Sequence, residues 1–258
     1  MEPERSLFDV SAGSYDRLIG RYLPTIGVAF ADAAGVGAGQ RVLDVGCGPG
    51  GLTSVLVGRV GAEHVAAIDP SRPFVAACRE RNPGVDVREG VAEELPYADG
   101  AFDASLASLV VGFMSDAGAG VAEMRRVTRR GGRIALSFWT LDGMPLLQTF
   151  WSAASAVTGE HGSDDTRLGR RDGDLVRLLE GAGAADVVQT RITGRATYAD
   201  VDDFWSSFTG GAGPVGAYAR SLAPEVADRV RDACDRLLGH PRSPFTLEAT
   251  AWCAVGTS

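Results

Sequence analysis

Lysine is absent from this sequence. All 25 basic side chains among its 258 residues are arginines. The absence excludes a lysine Schiff base, a lysine general base and the lysine of a P-loop, and with them aldolase-type, pyridoxal-type and Walker-type chemistry. Only three histidines are present. Candidates for a catalytic base are therefore few.

Three further features are missing: an excess of positive charge, long apolar runs and paired cysteines. The 25 basic and 33 acidic side chains give a formal net charge of −8, which argues against a nucleic-acid partner. No apolar run approaches the roughly 20 residues that span a bilayer, and Met1–Arg5 does not resemble the start of a signal peptide. The four cysteines are scattered, so neither a metal site nor a disulfide framework is predicted. We expect a cytoplasmic protein, monomeric or homodimeric, without a membrane partner.

Short apolar runs alternate with helical stretches between residues 41 and 140, which predicts βαβ units and a parallel sheet. An amphipathic helical region precedes them. The last helix before residue 140 is predicted at 117–129. Beyond residue 140 the pattern predicts helices at 145–158, 174–181 and 224–238, and strands at 185–193 and 245–255. The predicted organisation has three parts: N-terminal helices at 1–40, a cofactor-binding core at 41–140, and a C-terminal part at 141–258 that completes the sheet. Two insertions in the third part, at about 141–173 and 195–243, are predicted to form a cap for the substrate.

A glycine-rich turn follows the first predicted strand. Gly46, Gly48 and Gly50 can adopt positive φ and leave the backbone open to a ligand just before a helix. The next predicted strand ends at Asp69, whose carboxylate could accept hydrogen bonds from two ribose hydroxyls. The two features together predict a site for a nucleoside-type cofactor.

The same turn is compatible with two cofactors. Its G-x-G-x-x-G string, Gly46 to Gly51, also matches the dinucleotide fingerprint, which leaves an NAD-dependent oxidoreductase as an alternative. Asp44 would repel a pyrophosphate but could help to hold an ammonium group. Pro49 stands where a dinucleotide-binding helix usually begins. These features favour S-adenosylmethionine.

The segment Val42 to Gly50 resembles the first motif of the class I S-adenosylmethionine-dependent methyltransferases of the methyltransferase-11 type. Further segments in the family's order, at 14–16, 66–71, 90–103 and 123–133, extend the resemblance over about residues 8–140. It implies an α/β, Rossmann-like three-layer sandwich with a mainly parallel seven-stranded sheet, an antiparallel last strand and a helical cap. It also implies methyl transfer to a small-molecule acceptor.

The resemblance assigns the cofactor site residue by residue. Gly46 and Gly48 would line the methionine part, Asp69 would bind the ribose, and Glu93 would lie beside the adenine, whereas Val91 replaces an acid that the family commonly has. The full candidate set is Tyr15, Asp44, Gly46, Cys47, Gly48, Gly50, Asp69, Pro70, Ser71, Ala92, Glu93, Ala107 and Ser108.

Catalysis of methyl transfer relies mainly on alignment and desolvation, although a hydroxyl acceptor benefits from a base. His161, His240 and Tyr15 are the candidates for that base. Aromatic residues between 139 and 218 suggest a bulky or aromatic acceptor. An enzyme that uses the same fold and cofactor for another reaction, such as a cyclisation, is a second alternative.

Overall fold

The computed structural model describes residues 11–160 and 167–258. Seven strands form one sheet: β1 (Val42–Val45), β2 (Val65–Asp69), β3 (Asp86–Glu89), β4 (Phe102–Ser108), β5 (Thr128–Trp139), β6 (Ala185–Tyr198) and β7 (Phe245–Thr257). Their order is β3-β2-β1-β4-β5-β7-β6. Strands β1 to β5 pair in parallel, and β7 runs antiparallel to both of its neighbours. The predicted fold class is confirmed.

Helices cover both faces of the sheet, as expected when the central strands are buried throughout. They are α1 (Ala12–Leu18), α2 (Leu23–Ala33), α3 (Gly51–Val60), α4 (Arg72–Arg81), α5 (Ala117–Val127), α6 (Pro145–Thr158), α7 (Asp174–Gly181), α8 (Val201–Thr209), α9 (Gly213–Ser221) and α10 (Pro224–Leu237). One hydrophobic core lies between the sheet and the helices α2, α3, α6, α8, α9 and α10. A second core lies between the sheet and the helices α5 and α7. Within the described ranges, no helix combines the length and the apolar character that a membrane span needs.

Several element boundaries differ from the sequence prediction, and two of the differences have a clear structural cause. The helix predicted at 117–129 ends at Val127, because Thr128 enters β5 and its hydroxyl donates to the Met124 carbonyl at 2.7 Å. The strand predicted to end at 193 continues to Tyr198, which pairs with Phe245 of β7. The second insertion therefore begins later than the predicted residue 195. The start of the N-terminal helical region lies outside the described residues.

The segment around α1 is tied to two other helices. Asp16 forms an ion pair with Arg81 of α4. Arg21, in the turn that follows α1, donates to the Asp203 carboxylate of α8 at 2.9 Å. The N-terminal helices are thereby fixed between the cofactor side of the sheet and the cap.

Most aromatic residues of the cap pack against one another within the larger of the two cores. Phe150 of α6 is fully buried, and its ring centroid lies 4.4 Å from that of Phe208 and 5.9 Å from that of Trp205. Offset and edge-on contacts of this kind stabilise a packed cluster beyond the area that they bury. Helices α6, α8 and α9 of the cap contact one another through this cluster, to which α9 contributes Tyr218.

Phe150→Ala should lower the free energy of unfolding by about 3–5 kcal/mol, because it leaves a cavity in that cluster. Urea denaturation monitored by circular dichroism measures the loss. Val188→Ala is the control: Val188 is 61% exposed on β6, and its truncation should change the free energy by about 0.5 kcal/mol or less. Equal effects of the two substitutions would contradict the proposed role of the cluster.

Candidate active site

A cavity of about 560 Å³ opens at the carboxyl end of the parallel strands. It lies where the strand order reverses between β1 and β4, the position at which open α/β sheets bind ligands. Its walls come from α1, the glycine turn, the ends of β2, β4 and β5, and the start of α9.

Backbone geometry demands glycine at two positions of the turn. Gly46 has φ +71°, and a Cβ added there would lie 2.5 Å from Cγ2 of Val110. Gly50 has φ +93°, and a Cβ there would lie 2.5 Å from Nδ2 of Asn82. Side chains are disfavoured at such φ values even in open space. The turn is held against β2 because the amide of Gly46 donates to the Ile68 carbonyl at 2.8 Å.

Asp69 joins the glycine turn to the start of α4. Its carboxylate oxygens accept hydrogen bonds from the backbone N–H of Gly48 and of Ser71, both at 2.9 Å. Burial raises the pKa of this carboxyl to about 6, although the two amide donors partly offset that effect. Asp69 also lines the cavity. Because a carboxylate offers about four lone pairs, Asp69 retains capacity to accept from two ligand hydroxyls.

Asp44 lies behind the turn and does not line the cavity directly. It is 1% exposed, and one of its oxygens accepts from the Thr53 hydroxyl at 2.6 Å. Oδ1 has no hydrogen-bond partner among the described residues. Burial raises the pKa of Asp44 to about 7, and the charge of Asp69 adds to the rise. A cationic ligand in the cavity would stabilise the ionised form.

Tyr15 closes the cavity from α1. Its ring meets that of Phe74 edge-on, with centroids 5.3 Å apart, and lies 3.9 Å from the position of a Cβ on Gly48. Burial and the neighbouring charge of Asp69 raise the pKa of the phenol above its ordinary value. Tyr15 is therefore protonated at neutral pH, and its hydroxyl can donate a hydrogen bond to a ligand.

The adenine side of the predicted site is formed by the segment after β3. Gly90, Val91, Ala92 and Glu93 line the cavity there. The Glu93 carboxylate accepts from the backbone N–H of Asp116 at 3.0 Å, which fixes it beside the start of α5. Val91 supplies an apolar wall where the family commonly has an acid.

The structure does not bring all candidate residues to the cavity wall. Tyr15, Gly46, Gly48, Asp69, Pro70, Ser71, Ala92, Glu93 and Ser108 line it, whereas Asp44, Cys47, Gly50 and Ala107 lie behind the wall. His240 follows α10 at the surface, where its ring pairs with Asp235 at 2.6 Å. His161 lies outside the described residues. Within the described ranges, no histidine lines the cavity.

Several lining residues were not singled out from the sequence. Of the aromatic residues proposed for the acceptor pocket, Trp139 lines the cavity, whereas Phe150 and Phe208 are packed in the cap core. Arg167 and Arg170, from the first predicted cap insertion, also line it. Leu109 has φ +60°, a conformation that is strained for a leucine, at the point where β4 meets the cavity. A nonpolar residue after a strand gives no local signal of that geometry.

The raised pKa of Asp44 predicts a pH-dependent contribution to stability. Because the folded state binds this proton more tightly than the unfolded chain, the contribution is present below pH 4 and is lost as the pH rises towards 7. Asp44→Asn, which can still accept from Thr53, removes this titration. The unfolding free energy of the native chain minus that of the variant should fall over this range, by about 1.4 kcal/mol for each pH unit. Urea titrations at several pH values measure it, and a constant difference would contradict the assignment.

Comparison with known proteins agrees with this geometry. Residues 43–136 match the family model for a methyltransferase domain. The chain is 33% identical over 113 residues to the malonyl-[acyl-carrier protein] O-methyltransferase of Erwinia billingiae, which covers 44% of each chain. It is 39% identical over 109 residues to the demethylmenaquinone methyltransferase of Beutenbergia cavernae, which covers 42% of this chain and 45% of the relative. These matches span less than half of either relative.

The fold is shared more widely than the sequence. The crystal structure of the [4+2]-cyclase SpnF superposes with a TM-score of 0.54 at 21% identity, over 90% of this chain and 79% of SpnF. This likeness concerns the fold alone. The family match covers β1 to β5, the part of the chain that supplies the glycine turn, Asp69 and Glu93. Residues 43–136 therefore match a methyltransferase domain of the methyltransferase-11 type, which agrees with the resemblance seen in the sequence.

Proposed function

We propose that the protein transfers a methyl group from S-adenosylmethionine to a small-molecule acceptor. The observation that carries the proposal is the position of Asp69, which lines the cavity of a methyltransferase domain while its oxygens fix the glycine turn. When bound, the cofactor would supply an electrophilic methyl group. A lone pair of the acceptor would form the bond to the methyl carbon, and the electron pair of the broken carbon–sulfur bond would stay on sulfur.

The cofactor end of the cavity fits such a molecule. Asp69 would accept from the ribose hydroxyls, Gly46 and Gly48 would leave room for the methionine part, and Tyr15 would cover it as a donor. The buried carboxylate of Asp44 adds negative potential behind the turn. That potential suits a ligand that carries sulfonium and ammonium groups, and it disfavours the pyrophosphate of NAD.

The acceptor end has apolar walls and little acid–base chemistry. The carboxylates that line the described part of the cavity are Asp69 and Glu93, and both accept backbone hydrogen bonds near the cofactor end. The chain would therefore accelerate transfer by alignment and by excluding water rather than through a base. The names of the two curated relatives support a small-molecule acceptor.

The cytoplasmic location, the oligomeric state and the division of the chain at residues 40 and 140 stay predictions.

Asp69→Ala should weaken binding of S-adenosylhomocysteine by about 10- to 100-fold, because hydrogen bonds to a charged group contribute about 1.5–3 kcal/mol. Isothermal titration calorimetry measures the dissociation constant. Glu89→Ala removes a half-exposed carboxylate from the end of the neighbouring strand β3 and should leave it unchanged. An unaltered constant for Asp69→Ala would refute the ribose role, and tight binding of NAD without binding of S-adenosylhomocysteine would refute the cofactor.

Incubation with methyl-labelled cofactor and a panel of small-molecule acceptors tests the reaction itself. We expect label to appear in a product in equal amount to the S-adenosylhomocysteine formed, as measured by mass spectrometry. A product that forms without label would instead indicate a non-methylating reaction such as a cyclisation. Cofactor binding without turnover across the panel would indicate a binding protein.

A further inference from the structure

We propose that Cys47 and Cys78 form a redox-sensitive dithiol, and that its oxidation to a disulfide weakens cofactor binding at the glycine turn. Cys47 lies in that turn, between Gly46 and Gly48, whereas Cys78 lies in α4. Both thiols are free in the structure. The effect on the cofactor rests on the proposed function, but the formation of the disulfide does not.

The two cysteines share a small apolar core beside the turn. Its buried members are Cys47, Cys78, Ala67, Val75 and Val87. Gly50, at the end of the turn, contacts both cysteines. Its N–H donates to the Cys47 carbonyl at 3.0 Å, and a Cβ added to it would lie 2.8 Å from Sγ of Cys78. The glycine turn and α4 therefore pack directly against each other at this pair.

The thiol of Cys78 differs chemically from those of two other buried cysteines, Cys234 and Cys253. A hydrogen bond between the thiols of Cys47 and Cys78 lowers the pKa of Cys78 and raises that of Cys47, so the shared proton stays on Cys47. The side-chain amide of Asn82 donates to the Cys78 sulfur at 3.8 Å, which lowers this pKa further against the opposing effect of burial. Burial instead raises the pKa of Cys234 and of Cys253 to about 12. Because the thiolate is the form that reacts with oxidants, Cys78 is the reactive member of the pair.

A peroxide converts the pair into a disulfide in two steps. The Cys78 thiolate attacks one oxygen of hydrogen peroxide, so that a sulfur–oxygen bond forms, the oxygen–oxygen bond breaks, and the leaving hydroxide takes up a proton to become water. The Cys47 sulfur then forms the sulfur–sulfur bond, while the sulfur–oxygen bond breaks and its oxygen leaves with the Cys47 proton as a second water. The two thiols lose two electrons and the peroxide gains them. Cys47 is 7% exposed and Cys78 is fully buried, which favours an oxidant as small as hydrogen peroxide.

A disulfide at this position draws the glycine turn towards α4. Its two sulfur atoms lie about 2.05 Å apart, which is closer than those of two hydrogen-bonded thiols. The N–H of Cys47 donates to the Ile68 carbonyl at 3.0 Å, and the N–H of Gly48 donates to the Asp69 carboxylate at 2.9 Å. Movement of Cys47 disturbs both hydrogen bonds. Asp69 is then no longer oriented for the ribose hydroxyls.

Peroxide treatment of the full chain tests the proposal. The reduced protein is treated with hydrogen peroxide, separated from the excess, and analysed by intact mass and by peptide mapping. We expect a loss of about 2 Da, because two hydrogens leave, and a linked pair of peptides that contain Cys47 and Cys78. The dissociation constant of S-adenosylhomocysteine, measured by calorimetry, should rise about tenfold or more and should return to its first value after treatment with dithiothreitol.

Cys47→Ser and Cys78→Ser should each abolish the linked peptides and the reversible loss of affinity. Cys234→Ser is the matched control: Cys234 is buried in α10 and does not line the cavity, so this variant should respond to peroxide as the native chain does. Should one of the two variants fail to fold in a thermal melt, the other variant and the native chain decide.

Absence of the link between Cys47 and Cys78, or an affinity that the link leaves unchanged, would overturn the proposal. Failure of the reduced protein to bind S-adenosylhomocysteine would instead overturn the proposed cofactor. The dithiol is then judged from the linked peptides and from amide hydrogen exchange at residues 46–50, which should become faster on oxidation. Unchanged exchange in the linked protein would count against the proposed movement of the turn.

Discussion

The carboxylate of Asp69 is the contact on which the ligand-binding edge of the sheet depends. One side chain accepts from the amide of Gly48 in the glycine turn and from that of Ser71 at the start of α4. The two connections that flank the cavity are therefore oriented by the group that also lines it. Burial makes the ionised carboxylate costly, and the two amide donors reduce this cost. The structural role of Asp69 and its proposed role in ligand binding therefore depend on the same carboxylate.

A second buried carboxylate strengthens the same local field. Asp44 accepts from the Thr53 hydroxyl, and its pKa is raised by burial and, to a smaller extent, by the charge of Asp69. Two carboxylates at one edge of a sheet repel each other, and a cation placed between the turn and α1 relieves that repulsion.

The sequence was most informative where the structure is set by local geometry. Strand β1, the glycine turn and Asp69 at the end of β2 were all predictable, because positive φ requires glycine and parallel strands end at a common edge. The length of β6 was not predictable, since it depends on pairing with β7.

The proposed acceptor side of the site was less predictable, because it too depends on contacts between residues that are far apart in the sequence. Helical spacing of aromatic residues does not distinguish a cap core from a cavity wall, and Phe150 belongs to the core. Arg167 and Arg170 reach the cavity through tertiary contacts that include the segments after β4 and β5, and the sequence gives no local signal of such contacts.

The attachments of the α1 segment also bear on how ligands enter. Tyr15 covers the cofactor end, while the ion pairs of Asp16 with Arg81 and of Arg21 with Asp203 hold the same segment to α4 and to α8. Any outward movement of α1 has to break an ion pair on each side. Both pairs are partly exposed and are screened by salt, so raising the ionic strength should weaken both attachments of this segment.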